Sequence, residues 1–412
     1  MADNDIIAAL PEDVLLQVLS RVANVKSLFM LAATCRRWLC RFTDRAFLRD
    51  LWGGQRAGDL LGFFFHPQRN SASTFAFLPA PPLRSLIPSS YDGEPLTARR
   101  GILLMRLSPS NDWSEATSHL LGLLNPITGE HHALPHLKGP SNLGSFTVTS
   151  CAIIVSDDLA GKQPPSSGRF MFSQLLVTTK HKSIKTVYLH SYSATRSSWA
   201  APAVFLDLRR FSLVGEGSSS SAVVHRGAAH WLCTDHVARA TRDDYLYKLS
   251  VEVGGTATAT PRVSMTKLPV LDGGTPTPLL CVGGDGELTI VCVFIMHVRV
   301  WKQQRRGDGD GDGAAAWRRD VIWMPTEVSN YPKSYTMAHG LGRWGSVAMM
   351  YSSTGAVFVL DLDKKVMEKA MDCLLPLRMD HSLDRPPVSY EMDLVEFFLL
   401  QLGGLCRAIF VH

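Results

Sequence analysis

The chain has 412 residues, 46% of them hydrophobic and 19% charged, the balance of a folded protein rather than a disordered one. Its formal net charge of +5 is small for that size and supplies no concentrated basic stripe, so no nucleic-acid partner is expected. The length fits a large domain with a small companion, or two to three ordinary domains.

The opening MADNDIIAALPEDV has neither the basic region nor the apolar run of a signal peptide. From Leu10 to about Trp52 the spacing predicts helix. Pro11 suits a first turn, and Glu12 and Asp13 sit at the positive end of the helix dipole. Val14, Leu15, Val18, Leu19 and Val22 recur at helical spacing. Ser27 can cap a second helix through Leu28, Leu31, Ala32 and Cys35, which runs on through Trp38, Leu39 and Phe42. Asp44 opens a last segment with Phe47, Leu48 and Leu51. Such a small bundle covers little surface by itself and is expected to lean on a partner.

Beyond Gly53 the pattern changes to short β-rich runs punctuated by Gly, Pro and Ser: Gly101–Leu107, Phe146–Val155, Gln174–Thr179, Thr186–Tyr192, Tyr245–Val253, Glu287–Val300, Val347–Tyr351 and Ala356–Leu362. On the order of 20 strand candidates implies a sandwich, a barrel or a propeller. Weak repetition at roughly 40–60 residues favours a propeller of about five to seven blades. The most apolar segment, Leu394–Val411, is broken by Glu396, Gln401 and Arg407, short of an uninterrupted membrane span. It is read as closing strands, with Ala408–Val411 pairing an early strand such as Phe63–Phe65 or Phe75–Leu78 to remove an exposed edge. The eight cysteines show no paired spacing, as expected of reduced thiols. A soluble intracellular protein of the nucleus and/or cytoplasm follows, with no membrane partner.

Metal and catalytic patterns are weak. Asp308, Asp310 and Asp312 imitate half of a calcium loop, but Arg319 stands where the bidentate glutamate belongs. A flexible low-complexity loop accounts for them better. His225, His230, Cys233 and His236 match no zinc spacing, and in one extended strand His225 and His230 would point to opposite faces. No nucleophile elbow, phosphate loop or metalloprotease motif is present. No catalytic, cofactor or metal residues are expected.

The N-terminal segment resembles the F-box. The elements are Leu10-Pro11, Glu12-Asp13, Leu15, Val18-Leu19, Arg21-Val22, Leu28, Ala32, Cys35-Arg36-Arg37-Trp38 and Asp44 to Phe47. The rest is similar to the C-terminal half of plant F-box proteins, particularly those of grasses, in Asn125–Gly129 with Leu134-Pro135 and in Gly227-Ala228-Ala229-His230-Trp231-Leu232. The resemblance implies an α+β multidomain chain: a small all-α F-box over residues 8–52, a linker with first strands over 53–100, and an all-β, propeller-like target-recognition domain over 101–412. It implies docking on a Skp-type adaptor, and through it a cullin and a RING subunit, by Leu10, Pro11, Leu15, Leu19, Val22, Leu28, Ala32, Cys35 and Trp38. The expected function is that of a non-catalytic receptor subunit of a ubiquitin ligase, without cofactor, recruiting an unknown target protein. The alternatives are a binding protein acting outside a working ligase, and a small-molecule receptor using the propeller channel.

Overall fold

Short strands joined by tight turns fold back on their neighbours, and the chain does this repeatedly along its length. A computed structural model describes residues 11, 14, 17, 30–31, 38, 41–44, 46–48, 59–65, 74–79, 90–107, 117–126, 129–140, 144–155, 158, 172–181, 184–214, 222–235, 246–252, 262–268, 278–294, 296–304, 317–325, 336–341, 346–351, 356–371, 388–392 and 399. Among them, six antiparallel sheets hold four or five strands each. Sheet I orders Val388–Met392, Asp59–Phe65, Thr74–Pro79 and Ser90–Asp92. Sheet II orders Glu94–Arg99, Ile102–Arg106, Leu121–Leu124 and His131–Ala133. Sheet III runs Phe146–Val155, Phe172–His181 and Thr186–Ser193, flanked by Ser198–Trp199 and Ala203–Asp207. In sheet IV, Phe211–Leu213 and Val223–His225 share one side of Ala228–Asp235, followed by Leu246–Glu252 and Arg262–Lys267. Sheet V orders Leu279–Val282, Leu288–Val293, His297–Gln303 and Trp317–Trp323. Sheet VI orders Thr336–Leu341, Ser346–Tyr351, Val357–Asp361 and Val366–Met371.

The first strands of the six sheets lie side by side in a ring. Val388–Met392 packs on Glu94–Arg99, then come Phe146–Val155, Val223–His225, Leu279–Val282 and Thr336–Leu341, which returns to Val388–Met392. Among the described residues no sheet closes on itself; closure is strand against strand, and the architecture is mostly β and propeller-like. The helical N-terminal part is described at scattered positions only.

This packing explains the continuous apolar runs. Sheets III, IV and V are packed on both faces, so the period of two disappears from their hydropathy pattern. Along Phe146–Val155, Cys151, Ile153 and Val155 face sheet II with Leu104 and Leu121, whereas Ala152 and Ile154 face sheet IV with Trp231 and Val251. In sheet V, Ile290 and Trp301 face sheet IV, while Val298 and Val300 meet Phe358 and Leu360 of sheet VI. Each such aliphatic side chain contributes about 1.5–3 kcal/mol. The indole of Trp231 also donates to Ser150 Oγ at 2.8 Å, which satisfies its buried N–H.

Two sequence expectations are corrected here. The closing strand is Val388–Met392, not Ala408–Val411. Gly62, Phe63 and Phe64 pair with Tyr390, Ser389 and Val388 on one side, and Gly62–Phe65 pair with Ala76–Pro79 on the other. Both edges are therefore taken. Residues 400–411 lie outside the described residues. The run Glu287–Val300 is two strands rather than one. The chain reverses after Phe294, whose N–H donates to His297 O at 2.8 Å, and neither Gly nor Pro announces this turn.

Because neighbouring strands alternate in direction, the described turns between first and second strands, at 100–101, 226–227 and 283–286, fall on one face of the ring. Two of them are Arg-Gly pairs with positive φ at both residues, Arg100 (48°) with Gly101 (77°) and Arg226 (50°) with Gly227 (73°). That is the primed hairpin geometry that favours glycine. No helix among the described residues is long and apolar enough to cross a membrane.

Candidate functional site

The N-terminal segment is helical at Val14, Gln17, Met30, Leu31, Trp38, Arg41, Phe42 and Ala46–Leu48. Asp44 caps its last stretch, with Oδ1 accepting from the Ala46 N–H at 2.9 Å and, more weakly, from the Phe47 N–H at 3.4 Å. This satisfies donors that a helix start leaves orphaned. Phe42, Phe47 and Leu48 are buried. The Phe42 ring stacks on Trp38 at 5.6 Å and meets Phe47 edge-on at 5.9 Å. Pro11, Val14 and Gln17 are exposed, and Met30 is 63% exposed. Of the nine residues expected to meet an adaptor, Pro11 stands exposed and Trp38 half-buried. Leu10, Leu15, Leu19, Val22, Leu28, Ala32 and Cys35 lie outside the described residues. Met30 was not singled out from the sequence, although a large apolar residue on a short helix is the signal that would have found it.

In the β region the polar residues that could carry chemistry are instead tied into the packing. Burial pushes the thiols of Cys151, Cys233, Cys281 and Cys292 up to about 12, which leaves them protonated and poor nucleophiles. Burial depresses His190 to about 4 and His230 to about 3, so both are neutral. His190 Nε2 pairs with Thr179 Oγ1 at 2.9 Å, and His230 Nδ1 with Ser250 Oγ at 2.8 Å. Within sheet II, Arg106 pairs with Glu94 directly opposite it in the register, each 3% exposed or less. Burial lowers the guanidinium to about 10, still charged at neutral pH.

The expectation that His225 and His230 point apart is also corrected. They sit on two strands joined by the Arg226-Gly227 turn, with Val223 opposite His230 and Ala228 opposite His225. This register puts both rings on one face, 6.1 Å apart. His225 Nε2 bonds Gly286 O at 2.7 Å, and His236 lies outside the described residues. Among the described residues no three His, Cys, Asp or Glu are grouped to hold a metal ion. Residues 308–312 lie outside them.

Around the face of first turns, neighbouring sheets are joined by polar ties. Gly101 N–H donates to Glu391 O at 2.9 Å between sheets II and I. Arg99 and Arg100 of sheet II hold Asp158 beyond sheet III, with Arg99 donating to Asp158 Oδ1 at 2.9 Å. Burial pushes that carboxyl up, but the two guanidinium groups outweigh it and hold it below the usual carboxylate range. Arg226 meets Glu287 at 2.5 Å between sheets IV and V, and Lys302 meets Asp363 at 2.5 Å between sheets V and VI. These ties fix one sheet against the next.

Residues 7–50 match the family model described as F-box-like. The N-terminus is an F-box-like domain. It holds every helical position described before Asp59, and a strand-rich, propeller-like region follows it. A search of curated proteins found no match. Among solved structures the chain is similar to a luciferin-regenerating enzyme at 11% identity and TM-score 0.36, covering 69% of this chain and 77% of that one. It is similar to the Dos1 propeller at 10% identity and TM-score 0.34, covering 77% and 75%. It is also similar to the β-propeller domain of the trilobed protease from Pyrococcus furiosus at 7% identity and TM-score 0.31, covering 67% and 81%.

Proposed function

We propose that this protein is the non-catalytic receptor subunit of a Skp–cullin–F-box ubiquitin ligase, working inside the cell. The observation that carries the reading is the F-box-like domain at residues 7–50, set ahead of a β region large enough to hold a second partner. Leu10, Pro11, Leu15, Leu19, Val22, Leu28, Ala32, Cys35 and Trp38 dock on a Skp-type adaptor, which brings the cullin and RING subunits. The exposed Pro11, Val14 and Met30 support this, because a small helical unit with apolar side chains in water gains most by covering them with a partner. The β region captures a target protein. The mechanism is positional: it raises the effective concentration of a target lysine near the charged conjugating enzyme. The buried, protonated thiols and neutral histidines of the β region suit a scaffold rather than a site of bond making.

The test is a pull-down with a purified Skp-type adaptor, comparing the intact chain with a Leu10→Asp, Leu15→Asp variant whose fold is checked by circular dichroism. Binding by the intact chain that the variant loses is expected. A well-folded intact chain that fails to bind would remove the ligase reading.

A further inference from the structure

We infer that the junction between sheets II and III is a proton-operated catch, which parts in acid before the junction between sheets V and VI loosens. The inference stands on the packing of the ring and is independent of any adaptor. Three histidines from three different strands meet there on one phenylalanine. His119 belongs to the short strand Ser118–His119, which pairs with Leu137–Lys138. His181 ends the second strand of sheet III, directly opposite Phe146, and His190 lies on the third. Their ring centroids stand 4.8, 5.2 and 6.4 Å from that of Phe146. Each histidine is 1% exposed, and Phe146 is fully buried.

The hydrogen bonds suit neutral rings. His119 Nε2 donates to Phe146 O at 2.9 Å, so its Nδ1 is the bare nitrogen. That Nδ1 meets no hydrogen-bond partner among the described residues, and a second proton placed on it would find no acceptor there. His190 Nε2 meets Thr179 Oγ1 at 2.9 Å, and His181 packs edge-on against Tyr188 at 5.5 Å. From sheet II the cluster is faced by Arg106, a cation held by Glu94. Burial first, and Arg106 after it, hold His119 below its ordinary value against the opposing bond to Phe146 O. From sheet III come Tyr188 and the protonated thiol of Cys151. Burial first, and then His181, depress His190 to about 4. Lys180 alternates with His181 and faces away, while His136 and Lys138 flank buried Leu137 at the surface.

One charged ring at this spot repels the next, so the closed junction resists protons as a group. Parting the strands gives the rings to water, where an imidazole titrates near 6.5. In the fold His119 and His190 are held lower. The closed form therefore keeps its full advantage above about pH 6.5 and loses it as pH falls. Because several rings gain protons in one opening, the response is steep, as in other histidine switches. The part that moves is lightly attached, since Ser118–His119 and Leu137–Lys138 are strands of two residues each. The packing is also too tight to hydrate an imidazolium in place: a Cβ on Gly139 would stand 2.8 Å from His181 Cε1 and 2.9 Å from Phe146 Cδ1. Between sheets V and VI, by contrast, Val298, Val300, Phe358 and Leu360 fill the space, and none of these side chains takes up a proton.

Amide hydrogen exchange of the full chain, read by mass spectrometry and corrected for intrinsic rates, would be followed from about pH 7 to about pH 4.5. Opening of Ser118–His119 and Leu137–Lys138 is expected to grow by more than about tenfold per pH unit below about pH 6.5, the mark of more than one proton. Opening of Val357–Asp361 in sheet VI should change far less over the same range. His119→Phe should bring the slope at Leu137–Lys138 down to about tenfold per unit or less. Equal pH dependence in the two regions, or a slope of one proton or fewer in the parent chain, would overturn the proposal. So would an unchanged slope in a well-folded His119→Phe chain. The comparison of regions uses the parent chain alone, so it decides the matter even where the variant does not fold.

Discussion

An ion pair inside sheet II and an ion pair between sheets V and VI each set a carboxylate against a cation, and they differ in water. Glu94 and Arg106 are almost fully buried, whereas the side chains of Lys302 and Asp363 are 25% and 39% exposed. In the first, each charge exists because the other is there, since neither could be left alone in the packed interior. In the second, solvent can take the place of either partner. The same chemical pair is thus a requirement of the fold near the ring's interior and an adjustment of sheet orientation near its rim.

The sharpest way to break this contrast is Arg106→Leu. It leaves Glu94 buried without its cation and should cost about 3–5 kcal/mol, read as a fall in the urea midpoint. Adding Glu94→Leu should recover much of that loss, because a well-packed apolar pair is close to neutral. A double variant no more stable than the single one would show that the site needs the charges themselves.

Acid should act next. His190 and His230 are neutral in the fold, held at about 4 and about 3 by burial, and titrate near 6.5 when unfolded. Their folded values are depressed, so their full stability is present above about pH 6.5. It is lost as protons bind the unfolded chain below that, down toward pH 4 and 3. Going from pH 7 to pH 5 should remove on the order of 2–4 kcal/mol, and His230→Gln should flatten the slope. A urea midpoint unchanged over that range would show that both rings reach water in the fold. The smallest effect belongs to Lys302→Ala, which should shift stability by less than about 1 kcal/mol. A loss comparable to that of Arg106→Leu would erase the distinction between rim and interior.

Much of the β region was legible because its strands are bounded by turn chemistry. Phe146–Val155 coincides with the observed strand, and the run Thr186–Tyr192 falls one residue short of Thr186–Ser193. Where the turn is made by ordinary residues, as at Phe294–Met296, hydropathy shows one run instead of two. The expectation of opposite faces for His225 and His230 failed for a related reason. Period-two reasoning holds within a strand, and the Arg226-Gly227 hairpin divides this one. A pairing distant in sequence, such as Phe64 with Val388 in sheet I, leaves no local trace. The F-box-like segment was legible from the order of its motif elements, whereas the histidine cluster needs register: only pairing reveals that His181 stands opposite Phe146.

Sheet I draws three of its strands from residues 59–92 and its fourth from Val388–Met392. During synthesis the F-box-like end therefore leaves the ribosome well before the ring can shut. Until residue 392 follows, Asp59–Phe65 waits with one edge unpaired, a template for any passing strand. A chain truncated anywhere between these two segments keeps its F-box-like domain ahead of an unclosed ring.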